Sequence, residues 1–272
     1  MSILVTGATG KTGRRVAAQL REVGHDVRAA SRHGDVPFDW TARETWDKAL
    51  DGVSAVYLVA PPAGDAVASV TGLVQHAMAR GIPRFVLLSA SILEAGGFGM
   101  GQVHAHLRDH AKEWAVLRPT WFMQNFSEGS HLNAILRDDA IYSATGEGRV
   151  PFIDASDIAA CAVACLTQAQ APNANFVLTS DRAISYDEVA AKIGGAIGRP
   201  IVHKRVSIEE LAERHKAAGV QPFTAHGLAV MDGAIANGIE DRTTDAVATL
   251  TGRPPATFDA FVRASAAAWR RP

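Results

Sequence analysis

Short apolar runs and helix-spaced apolar positions take turns along the first half of the chain. Ile3-Leu4-Val5 stops at Gly7. Val16, Ala17, Leu20 and Val23 then recur at the spacing of one helical face, with Gly24 placed to end it. Val27-Arg28-Ala29-Ala30 is a second strand candidate, and the apolar run 55–60 is a buried strand that Pro61-Pro62 stops. Val67, Val70, Val74 and Met78 mark a helix closed by Gly81 and Pro83, and Arg84-Phe85-Val86-Leu87-Leu88 is the next strand. Val103, Leu107 and Ala111 line another helical face, and Ala115-Val116-Leu117 is a strand ending before Pro119. Strands alternating with helices of this length predict a parallel sheet covered on both faces, a doubly wound α/β architecture.

The pattern turns mostly helical near Asp154. Ser185-Tyr186-Asp187-Glu188 and Ser207-Ile208-Glu209-Glu210 each place a serine three residues before a glutamate, the signature of a capping box. Thr257 is placed to cap a last helix carrying Phe258, Phe261, Val262 and Trp269. Phe176-Val177-Leu178 and Ile201-Val202 are candidate edge strands. Asp154 and Asp157 precede a helix, and capping is the role expected of Asp157. The expected organisation is an α/β sheet domain over 1–153 and a smaller, mostly helical subdomain over 154–272, packed as a single compact unit. Open α/β sheets take ligands beyond the carboxyl ends of their strands, so the second region is expected to cover that site.

Composition narrows the class further. The chain has 272 residues, enough for a large buried core without disulfides or structural metal. Its net charge of -1 carries no electrostatic footprint for nucleic acid or an anionic membrane. Hydrophobic residues at 47% and charged residues at 20% are an ordinary globular balance that argues against disorder. Its two cysteines, Cys161 and Cys165, lie one helical turn apart among small residues, which places them in a core rather than a disulfide. The amino terminus lacks the pattern of a secretory signal, and no apolar run is long enough to span a membrane, so a cytoplasmic protein is expected.

The chemistry begins at Val5-Thr6-Gly7-Ala8-Thr9-Gly10-Lys11-Thr12-Gly13, where Gly7, Gly10 and Gly13 recur every third residue between the first strand and the first helix. Glycines permit the tight turn and bring backbone N–H groups up to a diphosphate, and the helix amino terminus adds partial positive charge. An NAD-selective site presents a carboxylate about 20 residues further on. This chain offers Ser31-Arg32-His33 there instead. A guanidinium binds phosphate bidentately, so Arg32 predicts a 2′-phosphate and hence NADP(H), with Lys11 as a second phosphate contact.

Those residues, with Tyr57-Leu58-Val59-Ala60-Pro61-Pro62, Val86-Leu87-Leu88-Ser89-Ala90, Leu117-Arg118-Pro119-Thr120-Trp121-Phe122-Met123-Gln124-Asn125-Phe126 and Leu250-Thr251-Gly252-Arg253-Pro254-Pro255, resemble the NmrA-like branch of the atypical short-chain dehydrogenases/reductases. The likeness runs over nearly the whole chain and extends to the fungal ergot-alkaloid reductases and their bacterial relatives. It implies a Rossmann fold binding NADP(H). By the same resemblance Gly7, Thr9, Gly10, Lys11, Thr12 and Gly13 meet the phosphates and Arg32 the 2′-phosphate. Asp39 and Trp40 sit near the adenine, and Ala60, Pro61, Pro62, Ser89, Ala90, Pro119 and Thr120 line the ribose and nicotinamide.

The catalytic pattern of the larger superfamily is broken. Typical members use a serine, a tyrosine and a lysine four residues after the tyrosine, which lowers the phenol's pKa for proton exchange. Ser91 falls at the serine position. Position 61 after Tyr57 is Pro, position 146 after Tyr142 is Gly and position 190 after Tyr186 is Ala. In register with the family helix, Gly96 takes the tyrosine position and Met100 the lysine position. His104 stands where the family helix carries an acidic residue, which makes it a candidate proton donor beside Ser91. His106 and His110 share a helical face, but the set lacks the ligands of a zinc site.

Trp121, Phe122, Gln124 and Asn125 follow a strand's carboxyl end and are candidate substrate contacts, whereas Met123 and Phe126 are expected in the core. The reading that follows is an NADPH-dependent reductase passing hydride to a small apolar activated acceptor: an imine or iminium, a quinone or an enone. The alternatives are a non-catalytic NADP(H)-binding redox sensor and a redox-neutral enzyme on the same fold.

Overall fold

The computed structural model describes residues 2–32, 36–62 and 64–271. His33, which follows Arg32 in the segment read for the cofactor's ribose, lies outside them. The elements of the first stretch are β1 (Ser2–Thr6), α1 (Lys11–Glu22), β2 (Asp26–Ser31), β3 (Val36–Pro37), α2 (Glu44–Leu50), β4 (Val53–Leu58), α3 (Ala66–Ala79), β5 (Arg84–Leu88), α4 (Met100–His110) and β6 (Glu113–Pro119). Then come α5 (Gln124–Ser127), α6 (Leu132–Asp138), β7 (Ala140–Ser143), β8 (Arg149–Val150), α7 (Ala155–Thr167), β9 (Ala174–Leu178) and β10 (Ile184–Ser185). The last are α8 (Tyr186–Ile197), β11 (Val202–Arg205), α9 (Ile208–Ala217), α10 (Pro222–Ala236), α11 (Ala246–Thr251), α12 (Phe258–Ser265) and the 3-10 turn Ala266–Trp269.

Two compact units share the chain. The first comprises Met1–Pro119, Ala155–Leu178 and Asp245–Pro254, and the second Thr120–Asp154, Thr179–Thr244 and Pro255–Pro272. This corrects the expected division at 153/154. Residues 155–178 supply β9, which pairs with β6, and α7, which packs against α1, so the sheet unit needs them. Arg253 in 245–254 pairs with the buried Asp157 at 2.7 Å, tying that segment to the first turn of α7. Asp157 is therefore an ion-pair partner inside the helix rather than its cap, because the helix already begins at Ala155.

In the first unit a seven-stranded sheet runs β3-β2-β1-β4-β5-β6-β9, every neighbouring pair parallel. Parallel strands covered on both faces need apolar side chains on both, and Leu4, Val5, Val56, Tyr57, Phe85, Val86 and Val116 are all fully buried. Gly24, at φ 84, turns the chain out of α1 with its N–H on Arg21 O. Cys161 and Cys165 are free and buried on α7, and burial pushes both thiols up to about 12.

The second unit is mostly helical, with two small two-stranded sheets, β8 with β10 antiparallel and β7 with β11 parallel. The strand expected at 201–202 is β11, and it pairs with β7 rather than edging the large sheet. Ser185 closes a complete capping box: its Oγ accepts from the Glu188 N–H at 3.2 Å, and the Glu188 carboxylate accepts from the Ser185 N–H at 3.0 Å. Ser207 and Thr257 cap α9 and α12 through single bonds to Glu210 and Ala260. Phe126, Phe152, Tyr186, Phe258, Phe261 and Trp269 form an edge-to-face aromatic core. Among the described residues no helix is long and apolar enough to cross a membrane, and no cluster of His, Cys, Asp or Glu could hold a metal ion.

Candidate functional site

The loop between β1 and α1 is held by backbone contacts that leave room for hydrogen alone. Gly7 adopts φ 61, and a Cβ there would lie 3.1 Å from Val59 Cβ. Its carbonyl accepts the Gly10 N–H at 2.8 Å. A Cβ on Gly13 would come within 2.2 Å of that same carbonyl oxygen. The end of β1 is pinned to the end of β4 through Thr6, whose Oγ1 donates to Tyr57 O at 3.1 Å and accepts the Val59 N–H at 2.8 Å.

Gly10 is the N-cap of α1, and with no side chain to cap it and no acidic residue in the first turn, the helix opens as an anion-binding end. Thr9 and Gly10 are exposed and Lys11 is half-buried. Thr12 is buried, turned towards the Tyr57 hydroxyl.

Arg32, just past β2, is exposed and lies near the Asp39 carboxylate. Asp39 Oδ1 accepts from the Thr41 N–H at 2.8 Å and from the Thr41 hydroxyl at 2.7 Å. These bonds, with a smaller contribution from Arg32, hold the carboxyl below its usual range. Asp39 O accepts the Trp46 indole N–H at 3.0 Å, and Trp40 stands edge-on to Phe38 at 5.0 Å. The half-buried Trp40 is thus fixed by packing, beside a carboxylate and a cation.

At the ends of β5 and β6 the pairing continues past the strands. The Ser89 N–H donates to Leu117 O at 2.7 Å and the Ser91 N–H to Pro119 O at 3.0 Å. Ala60, Pro61, Ser89 and Ala90 remain partly exposed and Pro62 is exposed, while Pro119 is buried. Ser89 Oγ is buried without a hydrogen-bond partner among the described residues, an unfilled donor and acceptor beyond the carboxyl end of β5.

The two catalytic candidates are interior. Ser91 is 2% exposed, and its carbonyl accepts from Arg118 Nη2 at 2.6 Å. His104, also 2% exposed, packs its ring 5.7 Å from Trp114. Burial and then the charges of Arg118 and Arg108 push its pKa down, so the ring is neutral near pH 7. The tyrosines do not replace them. Tyr57 and Tyr186 are buried, and burial holds both phenols far above the ordinary value. Tyr142 lies under the Arg214 guanidinium, 3.6 Å from its ring centre. Gly96 sits at φ 82 and Met100 begins α4, so neither replaces the lost pair.

In the second unit the segment after β6 is zipped to residues 151–153. Thr120 Oγ1 donates to Pro151 O at 2.7 Å, the Ile153 N–H to Trp121 O at 3.0 Å and the Met123 N–H to Ile153 O at 2.9 Å. Met123 and Phe126 are fully buried core residues, as expected. Gln124 is buried, with its amide donating to Asp154 Oδ2 at 3.0 Å. Trp121, Phe122 and Asn125 stay half-buried.

Two polar constellations were not anticipated from sequence. Arg118 is 3% exposed and donates to Glu94 Oε2 at 2.8 Å, to Asn175 Oδ1 at 3.0 Å and to Ser91 O. The available signal was a cation directly after the apolar run 114–117 of β6. In the second unit, Ser143 Oγ lies 2.7 Å from His203 Nε2, and His203 Nδ1 lies 3.3 Å from Asp187 Oδ1. That is triad-like spacing, but Ser143 is wholly buried and also bound to Thr145 at 2.7 Å. The set is a sealed hydrogen-bond chain, not an exposed nucleophile.

The relatives fit this architecture. Residues 1–262 match the model of the NmrA-like family. An agroclavine dehydrogenase of Claviceps purpurea is 38% identical over 99% of both chains. A festuclavine synthase II of Penicillium roqueforti is 37% identical over 95% of this chain and 96% of its own. Among solved structures, an NADPH-dependent quinone oxidoreductase from Escherichia coli, complexed with NADPH, has a TM-score of 0.78 at 21% identity, covering 96% of this chain and 98% of that one. With the glycine cradle set at the head of a seven-stranded Rossmann sheet and a match running nearly end to end, the chain belongs to the NmrA-like family.

Proposed function

We propose that the protein is an NADPH-dependent reductase that delivers hydride to a small, fairly apolar activated acceptor, an imine or iminium, a quinone or an enone. The observation that carries a dinucleotide is the cradle of Gly7, Gly10 and Gly13 at the uncapped, acid-free start of α1. The orphaned Ser89 hydroxyl supports the same fit, as a polar group awaiting a partner. When bound, a reduced nicotinamide supplies the hydride.

This chain's residues do the rest. Backbone N–H groups of 9–13 hold the diphosphate, with Lys11 beside them. Arg32 takes the 2′-phosphate in exchange for its neighbour Asp39, and Trp40 borders the adenine. Ala60, Pro61, Pro62, Ser89, Ala90 and Pro119 border the ribose and nicotinamide and keep water out. Trp121, Phe122 and Asn125 meet the acceptor, with Gln124 and Thr120 fixing their segment.

Activated acceptors are favoured because the proton machinery is missing. Gly96 and Met100 stand in for tyrosine and lysine, and Ser91 and His104 are interior and held elsewhere. An acceptor that draws hydride without acid assistance suits a site whose main contribution is orientation.

NADPH absorbance followed against a panel of imines, quinones and enones should fall with at least one class. Tight NADPH binding with no oxidation across the panel would overturn the reductase in favour of a sensor, and substrate conversion without oxidation would favour redox-neutral chemistry. In the same assay Arg32→Ala is expected to weaken NADPH binding about tenfold and leave NADH binding unchanged, the scale of one charge-assisted phosphate contact. Equal losses for both cofactors would remove Arg32 from the 2′-phosphate.

A further inference from the structure

One aromatic of the sheet unit is left in solvent by a loop that is otherwise tightly built. Phe98 is 70% exposed, whereas Phe38, Trp46, Phe85 and Trp114 of the same unit are buried. Leaving a phenyl ring in water forgoes the stabilisation its burial would bring.

The loop between β5 and α4 is not loose around it. Arg118 grips its first half through the Glu94 carboxylate and the Ser91 carbonyl, and is itself braced by Asn175. The Glu94 carbonyl accepts the Gly97 N–H at 3.0 Å, the Gly96 N–H donates to Gly101 O at 2.7 Å, and the Gly101 N–H donates to Phe98 O at 3.1 Å. A Cβ on Gly101 would stand 2.3 Å from Glu94 O, so the loop closes where only glycine fits. Gly96 at φ 82 and Gly99 at φ 56 make the sharp bends on either side of Phe98. Leu93 packs inward on the core while Phe98 points out.

The loop leaves the carboxyl end of β5, the side of an open α/β sheet where ligands bind, and starts at the orphaned Ser89 hydroxyl. An exposed aromatic carried there on a braced loop backbone offers a stacking surface. We propose that Phe98 is a specificity-determining contact of the reductase, an aromatic face against which a flat conjugated acceptor stacks. This rests on the reductase reading and names the acceptor class that the site prefers: planar and polycyclic rather than compact.

The test compares menadione, a fused two-ring quinone, with the single-ring p-benzoquinone. Phe98→Ala is expected to raise KM for menadione about tenfold with little change in kcat. KM for p-benzoquinone and the Kd for NADPH should stay within about twofold, and Phe98→Trp should restore the menadione KM. Binding of menadione to the protein saturated with NADP+, read by fluorescence quenching, supplies a measurement independent of turnover. A wild type that binds menadione but oxidises no NADPH sinks the reductase reading alone, and a tenfold weaker complex in Phe98→Ala still upholds the contact. Unchanged menadione KM and Kd in Phe98→Ala, or no menadione binding by the wild type, overturns the proposal. So does a Phe98→Ala variant whose change is in sedimenting mass instead, since the ring then serves a contact between copies.

Discussion

Gly13→Ala is expected to weaken NADPH binding by at least about a hundredfold, roughly 3 kcal/mol. The added methyl would meet Gly7 O at 2.2 Å, Gly7 C at 2.7 Å and Ala8 Cα at 3.0 Å. All three are backbone atoms, so no rotamer change relieves the overlap. Gly7 is itself held: it sits at φ 61 with room for only a hydrogen on the side that faces Val59, and its carbonyl is committed to the Gly10 N–H. The start of α1 must therefore lift from the loop, which moves the N–H groups that the proposal assigns to the diphosphate. Gly10→Ala is the contrasting variant. Its Cβ would lie 3.1 Å from Gly7 O, and its backbone at φ -79 and ψ 176 suits any residue. A severalfold loss is expected there. Tryptophan-to-nicotinamide energy transfer reads both affinities, and circular dichroism shows whether each variant folds. A folded Gly13→Ala protein that binds NADPH within about tenfold of the wild type would contradict the cradle.

Sequence periodicity carried furthest where one physical rule dominated. Strands buried on both faces read as unbroken apolar runs, so β1, β4, β5 and β6 were legible. Glycine spacing marked the phosphate loop because backbone crowding at Gly13 leaves no other choice. The Ser185 box was legible because capping is local, spanning three residues. What escaped depends on contacts between distant residues. Arg118 and Glu94 are joined across a loop, and Ser143, His203 and Asp187 come from three separate elements. Asp157 was assigned to a cap from its neighbours, yet its partner Arg253 lies in a distant segment. Phe98 was missed for the opposite reason: its interest lies in what it does not touch, which no hydrophobic pattern records.

Asp232→Asn is expected to make the protein more stable above neutral pH, by about 4 kcal/mol near pH 8, and to flatten its pH dependence. Asp232 lies on α10 in the second unit, 5% exposed, with Oδ2 accepting the Ala144 N–H at 3.2 Å. Burial pushes its carboxyl up to about 7, against the partial relief of that bond. The raised folded pKa fixes the sign. Below the unfolded value of 3.8 both states hold the proton and the residue carries no penalty. As pH rises from there towards 7 the unfolded chain ionises while the folded protein keeps its proton, so stability falls. Above 7 the loss is complete. Asparagine can keep the Ala144 bond through its carbonyl oxygen and has nothing to ionise, so that loss disappears. His203 works from the other side. Burial lowers its pKa, so its contribution is present above 6.5 and fades as pH falls, when the unfolded chain takes up a proton first. Removing the Asp232 carboxyl therefore leaves the acid limb intact and lifts the alkaline one. Melting temperatures of both proteins from about pH 5 to about pH 8 should diverge as pH rises and level off beyond 7, and parallel curves would show that Asp232 titrates in the fold as it does in water.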